Sequence, residues 1–357
     1  MPIPPSNRSP LVRLATVLSR VVLAVGSFLL ALFLAESLVQ RRDPFGASYY
    51  RDASRYLAES IQLLPDAMRP DGRLFENAPN RCAKYRHFDF CTDERGLRRS
   101  KVTPSKSAGT PILFLGDSVT LGWGVDDEQT WVRGLEEALE TSTGDPVVCL
   151  NAGHLQYDTI QELDWLRAHG AQIAPSRIVL TFVSNDLDDT WQTYQDLMAD
   201  AARAPTAQDR VRGWASRYLP GLFGVWIHHE VVHGTEPADS DAHLPVHERQ
   251  QYVERWPVSE RALDQLLATA QELTAELVIL DHTVPPFPDL PEWCAANGVV
   301  YGDFRFTPEE SAQNVRLSAA DAHANARGHA FLTDKAAQAL TRSGELRRRV
   351  PHSEKQP

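Results

Sequence analysis

Residues 112–124 read ILFLGDSVTLGWG. Four apolar residues run into Gly116, and Asp117 and Ser118 follow before apolar positions resume. A short apolar run bounded by Gly is the pattern of a buried strand, and DEQTWVRGLEEALE at 127–140 has the spacing of an amphipathic helix. Working outward, the alternation repeats. PVVCLNAG (146–153) precedes TIQELDWLRAHG (159–170), RIVLTFV (177–183) precedes DLDDTWQTYQDLMADAA (186–202), and ELVILDH (276–282) follows the helical SERALDQLLATAQEL (259–273). Four buried strands alternating with helices predict a doubly wound α/β domain: a parallel sheet with helices on both faces. In such a sheet, ligand sites gather outside the carboxyl ends of the strands.

The chain has 357 residues, enough for one large or two modest domains, and its 43% hydrophobic content suits a packed core. The net charge of −11 comes without a basic stripe, so the electrostatic footprint of nucleic-acid binding is missing and no nucleic acid is expected as partner. Cys82, Cys91, Cys149 and Cys294 form no CxxC pair, which argues against a zinc ribbon or a thioredoxin-like site. Cys82 and Cys91 bracket a short loop and can close a disulfide in an exported chain, whereas Cys149 reads as a buried thiol.

Export is suggested by VVLAVGSFLLALFLA (21–35), which follows Arg8, Arg13 and Arg20. Extended to Gln40, it approaches the roughly 20 residues that a bilayer needs. No small-x-small site follows Ala35, so an uncleaved transmembrane anchor is preferred to a cleaved signal peptide. The bulk of the chain is then expected outside the cytoplasmic membrane. The organisation expected is a cytoplasmic tip and anchor over 1–42, a membrane-proximal connector over 43–108, a catalytic domain over 109–345 and a solvated tail over 346–357. Within that domain 204–257, rich in Trp and His, reads as a lid-like insertion.

Four polar clusters then stand in order. Gly116-Asp117-Ser118 puts a serine at a strand-to-helix turn, where backbone N–H groups point the same way as its hydroxyl; Thr120 separates it from the GxSxG elbow. Asn151-Ala152-Gly153 lets backbone approach a ligand and offer an N–H. Asn185, in Ser184-Asn185-Asp186, brings an amide donor for a developing oxyanion. Asp321-Ala322-His323 brings a base and an acid to orient it. His154 reads as facing either substrate or interior, and His329 as a capping or surface residue of the following helix.

In this order and at these separations the clusters resemble the GDSL family, also called SGNH hydrolases, over residues 111–342. The resemblance implies a flavodoxin-like sheet and acyl transfer, with Ser118, His323 and Asp321 as catalytic residues and Ser118, Gly153 and Asn185 as the oxyanion hole. It implies no metal or organic cofactor, and as partners a small-molecule or glycan ester and a membrane reached through the N-terminal helix. FDFCTDERGLRRS (88–100) also resembles a segment of membrane-anchored bacterial members. Two positions depart from the pattern. Val183 stands where Gly is usual two residues before the Asn. Ala320 stands where the acid is usual three before the His, which leaves Asp321 for that role. Three other readings stay open. One is an O-acyltransferase using the same triad, and another is a silent envelope-binding domain. The third is a zinc peptidase built on His229-Glu230-Val231-Val232-His233, an HExxH string whose metzincin continuation fails at Glu236 and Asp239 and for which Glu254 is a loose third ligand.

Overall fold

The computed structural model describes residues 10–43, 46–64, 75–100, 109–144, 146–187, 207–226, 246–318 and 321–349. The chain divides into two compact units, 1–48 with 204–236, and 49–203 with 237–357.

In the first unit, helix α1 (Pro10–Arg42) contains a stretch, Leu14–Arg42, long and apolar enough to cross a membrane, with mean hydropathy 2.3 over its most apolar window and none of that window buried. Residues 220–226 are also helical.

The second unit, from Tyr49, holds all but the first two residues of α2 (Ala47–Glu59) and a small antiparallel pair, β1 (Ile61–Leu63) with β2 (Phe75–Asn77). The remaining strands are β3 (Cys82–Lys84), β4 (Asp89–Thr92), β5 (Arg98–Arg99), β6 (Thr110–Gly116), β7 (Val147–Asn151), β8 (Arg177–Phe182), β9 (Glu276–Asp281) and β10 (Val300–Asp303). They form one sheet in the order β10-β9-β8-β6-β7-β5-β4-β3. From β10 to β7 it is parallel, and the order of those five strands is the flavodoxin-like 2-1-3-4-5. β10, at the parallel sheet's edge and four residues long, is a fifth parallel strand beyond the four read from the sequence.

Side-chain alternation along β6 sets the layers. Leu113 and Leu115 join a core with Leu163 and Leu166 of α5 (Thr159–Ile173) and Leu263 and Leu266 of a later helix. Ile112 and Phe114 face Trp131 and Leu135 of α4 (Trp131–Thr143) on the opposite side. That later helix, α7 (Val246–Glu272), follows α6 (Ala207–Tyr218), while α8 (Asp289–Asn297), α9 (Pro308–Ser311) and α10 (Ala326–Arg349) come after it. A period of two along a strand with helices on both faces is what a doubly wound sheet requires.

The 43–108 segment, read as a connector, supplies β3, β4 and β5 as an antiparallel extension of the sheet. Tyr56, Phe90 and Trp123 form an aromatic core there. Cys82 and Cys91, opposite one another in β3 and β4, are joined in a disulfide. Cys149 is half-buried rather than fully buried. Of the segment 204–257, read as a lid-like insertion, residues 207–226 and 246–257 are described; the former belong to the first unit and the latter to the second. Helix α10 runs on to Arg349, into the stretch read as a solvated tail.

Candidate active site

The site begins at the carboxyl end of β6. Gly116 has φ 150°, and a Cβ there would lie 2.1 Å from Thr120 Oγ1, so the chain turns into the next helix only with glycine. That helix, α3 (Ser118–Leu121), starts at Ser118 and is capped by Asp117, whose Oδ1 accepts the Val119 N–H at 2.8 Å. Asp117 Oδ2 lies 3.1 Å from Ser118 Oγ. The turn is held from several sides. Arg98, fully buried, donates to the carbonyls of Leu121, Gly122 and Val125, Trp131 Nε1 donates to Val119 O at 2.9 Å, and Asn151 Nδ2 donates to Thr120 O at 2.8 Å.

His323 comes from the loop ahead of α10 rather than from a strand end. Its backbone carbonyl accepts the Leu317 N–H at 2.8 Å, and Asn325 fixes the loop by donating to Asn314 and Arg316 carbonyls at 2.7 and 2.8 Å. His323 Nε2 lies 2.8 Å from Ser118 Oγ, and Nδ1 lies 2.6 Å from Asp321 Oδ1, which also accepts the His323 N–H at 3.0 Å. Nδ1 beside a carboxylate carries the proton, so neutral His323 presents Nε2 to the serine as an acceptor. Burial alone would lower the His323 pKa, but the bond to Asp321, its charge and that of Asp117 outweigh this and raise it. Asp117 is itself pushed up by burial.

Two of the donors expected from the sequence hold internal acceptors. Gly153 N–H donates to Asn151 Oδ1 at 3.0 Å and Asn185 Nδ2 to Tyr157 O at 3.3 Å. A Cβ on Gly153 would lie 2.2 Å from Leu121 N, so its close approach to α3 demands glycine. Asp186 holds the Asn185 turn, accepting from Val183 N–H and Thr159 Oγ1, both at 2.7 Å.

One expectation changes, at His329, and two open positions, His154 and Val183, are placed. His329 is buried, 2% exposed, and accepts the Trp131 N–H at Nδ1. Burial drives its pKa down to about 3, so it is a neutral core acceptor rather than a surface residue. His154 is buried against Tyr157, its ring 4.2 Å away, with Nδ1 at 2.8 Å from Ala152 O. Val183 is buried and shapes the turn through its N–H. The HExxH string at 229–233 lies outside the described residues; among the described residues no group of three His, Cys, Asp or Glu side chains is placed to hold a metal ion.

Sequence reasoning missed Asn77, whose Nδ2 donates to Gly153 O at 3.0 Å, and Arg98 beneath the nucleophile turn. Arg98 lies in the recognised 88–100 stretch, whereas Asn77 sits in a three-residue strand with no periodicity to mark it.

No protein-family profile and no curated protein matches this chain. Among solved structures it is similar to the psychrotrophic esterase EstA from Pseudoalteromonas sp., with 13% identity over 66% of this chain and 99% of that one and a TM-score of 0.41. It is similar to a variant of Axe2, an acetyl xylan esterase from Geobacillus stearothermophilus, with 13% identity over 65% and 95% of the two chains and a TM-score of 0.35. A G-D-S-L family protein from Desulfitobacterium hafniense DCB-2 shares 11% identity over 65% and 99%, with a TM-score of 0.34.

Proposed function

We propose that this chain is a membrane-tethered serine ester hydrolase of the SGNH type, working outside the cytoplasmic membrane on an O-acylated glycan or a lipid-like ester. The observation that carries the reading is the relay from Asp321 Oδ1 to His323 Nδ1 at 2.6 Å and from Nε2 to Ser118 Oγ at 2.8 Å, at the carboxyl end of a parallel sheet. Nucleophile and base within hydrogen-bond reach, with the base oriented by a third group, is the signature of nucleophilic acyl transfer.

In this mechanism Ser118 Oγ bonds to the ester carbonyl carbon as its proton passes to His323 Nε2, and the carbonyl π pair moves onto oxygen. The Ser118 N–H, Gly153 N–H and Asn185 Nδ2 take up that charge. Gly153 and Asn185 exchange neutral acceptors for an anionic one, and such charge-assisted bonds are roughly twice as strong as neutral ones. The tetrahedral carbon then expels the alcohol oxygen, which takes the proton from His323. Water, deprotonated by the same Nε2, attacks the Ser118 ester; the acid leaves and Ser118 regains its proton. Asp321 stays ionised throughout and fixes the tautomer.

The site of action is supported by the length and apolarity of α1 and by the Cys82–Cys91 disulfide, a bond that persists in oxidising compartments. Ser118→Ala should abolish turnover of a chromogenic acetyl ester while the melting curve stays unchanged. Turnover retained by that variant sinks the assignment.

A further inference from the structure

Outside the candidate active site, the least accounted-for surface lies in the first unit, on the segment read from sequence as part of a lid. On α6, Val211, Trp214 and Tyr218 are 63%, 55% and 59% exposed. Their spacing of three and four residues lines them along one face. Trp214 and Tyr218 pair at 5.8 Å, and Arg217 lies over the Tyr218 ring at 5.7 Å. Arg210 and Arg217, both exposed and seven residues apart, run along the edge of this stripe. Trp226, 37% exposed and 5.5 Å from the Phe223 ring, extends the aromatic surface. Aromatic residues flanked by arginine, open to solvent, are poor neighbours for water and suit a boundary with one apolar and one charged side.

The level of this segment is set by its bonds to α1. Glu36 directly follows the apolar run 21–35 and is buried, 5% exposed. Its carboxylate accepts from Gly221 N–H at 2.6 Å, Leu222 N–H at 2.9 Å and Gln40 Nε2 at 2.6 Å. A Cβ on Gly221 would meet Gln40 N and Glu36 Oε1 at 3.1 Å, so the backbones approach as closely as glycine allows. The uncharged apolar run ends at Ala35, so Glu36 stands at the edge of the stretch that suits a hydrocarbon core. Tyr218 is three residues from Gly221, hence within about 10 Å of the residue that Glu36 holds.

Resting on the reading of α1 as a membrane span, we propose that residues 207–226 form an interfacial collar at the exit of α1. Its Trp and Tyr side chains sit at the headgroup–acyl boundary of the same bilayer, and Arg210 and Arg217 meet anionic lipid phosphates together with Arg41 and Arg42. Trp and Tyr concentrate at that depth because their rings are apolar and their polar edges wet, and basic residues gain from anionic headgroups. This assigns the segment to lipid rather than to the ester site.

The test uses the full chain in nanodiscs of phosphatidylcholine and phosphatidylglycerol, compared with the Trp214→Phe/Trp226→Phe variant. Equal melting temperatures of the two chains establish that both fold. The difference emission between them reports the two indoles. The collar predicts that this emission is blue-shifted and quenched more strongly by lipids brominated near the headgroup than near the chain end. Difference emission at the water-exposed wavelength, or a blue shift without quenching as a second protein copy covering the stripe would give, overturns it. Alkaline carbonate extraction separates the two readings. A chain that stays with the membrane but shows no quenching overturns the collar alone, whereas a chain that is extracted overturns the span and the collar with it.

Discussion

Asn77 Nδ2 donates to the carbonyl of Gly153 at 3.0 Å, and Asn77 Oδ1 accepts from Tyr56 Oη. A residue of the small β1–β2 pair thus holds the peptide next to a proposed oxyanion donor. Asn77→Ala should lower kcat by about ten- to a hundredfold with KM within about twofold, because small misplacements of an oriented group carry such factors. Tyr56→Phe removes the outer bond together with the one to the Leu155 backbone, and is expected to lower the melting temperature while leaving kcat near wild type. Steady-state kinetics beside thermal melts of both variants checks this; equal kcat in the two would reduce Asn77 to a structural part.

The His323 pKa, raised above its ordinary value near 6.5, puts the base on the acid limb of kcat/KM. Activity should climb with pH through a midpoint above that value, since only neutral His323 accepts the Ser118 proton. Asp321→Asn leaves burial as the dominant influence, so the midpoint should move to lower pH while kcat falls on the order of 10³–10⁴-fold. The linkage has the matching sign: stability from protonated His323 is complete below the ordinary value and lost as pH rises through the native one. A pH–rate profile of both chains is the check.

Glu162 is 1% exposed, and neither of its carboxyl oxygens has a hydrogen-bond partner among the described residues. Burial, and the neighbouring Asp186, push its pKa well above the ordinary Glu range. Asp186 is also raised by burial, yet its two donors favour its ionised form, so Glu162 is the member that keeps a proton. A raised native value stabilises below the ordinary one and loses that contribution as pH rises through the native one. Glu162→Gln should therefore gain on wild type with rising pH, by up to about 1.4 kcal/mol per pH unit between the two values. Urea midpoints across that range measure the difference; parallel curves would contradict it.

The parallel sheet and the turn that carries Ser118 were legible because each rests on a local signal, whereas the grouping of Ser118 with Asp321 and His323 was an expectation from the family resemblance. Phe114 and Leu115 declare a buried strand by apolarity, and Gly116-Asp117-Ser118 declares the turn. The part played by 75–100 was not legible, because β2 to β5 have two to four residues each, too few to show a period of two, and their stability comes from pairing with distant chain. His329 misled for a related reason: on a helix rich in polar residues, burial depends on Trp131 and the sheet beneath, which only the tertiary fold brings. Val300–Asp303 was missed as a short edge strand whose burial alternates weakly.

The Cys82–Cys91 bond closes a loop of sequence separation 9 within β3–β4. Cys82→Ala/Cys91→Ala should lower unfolding stability by about 2–3 kcal/mol, the loop-closure figure for that length. Denaturant titration under oxidising conditions reads it. Under reducing conditions the wild-type curve should approach that of the variant.

The most direct test is to catch the acyl group. Rapid quenching of the full chain with p-nitrophenyl acetate, followed by peptide mass spectrometry, should find one acetyl group on Ser118 at steady state, and none in Ser118→Ala. Turnover that proceeds with no acetyl on Ser118, or with the adduct on another residue, would contradict the serine mechanism.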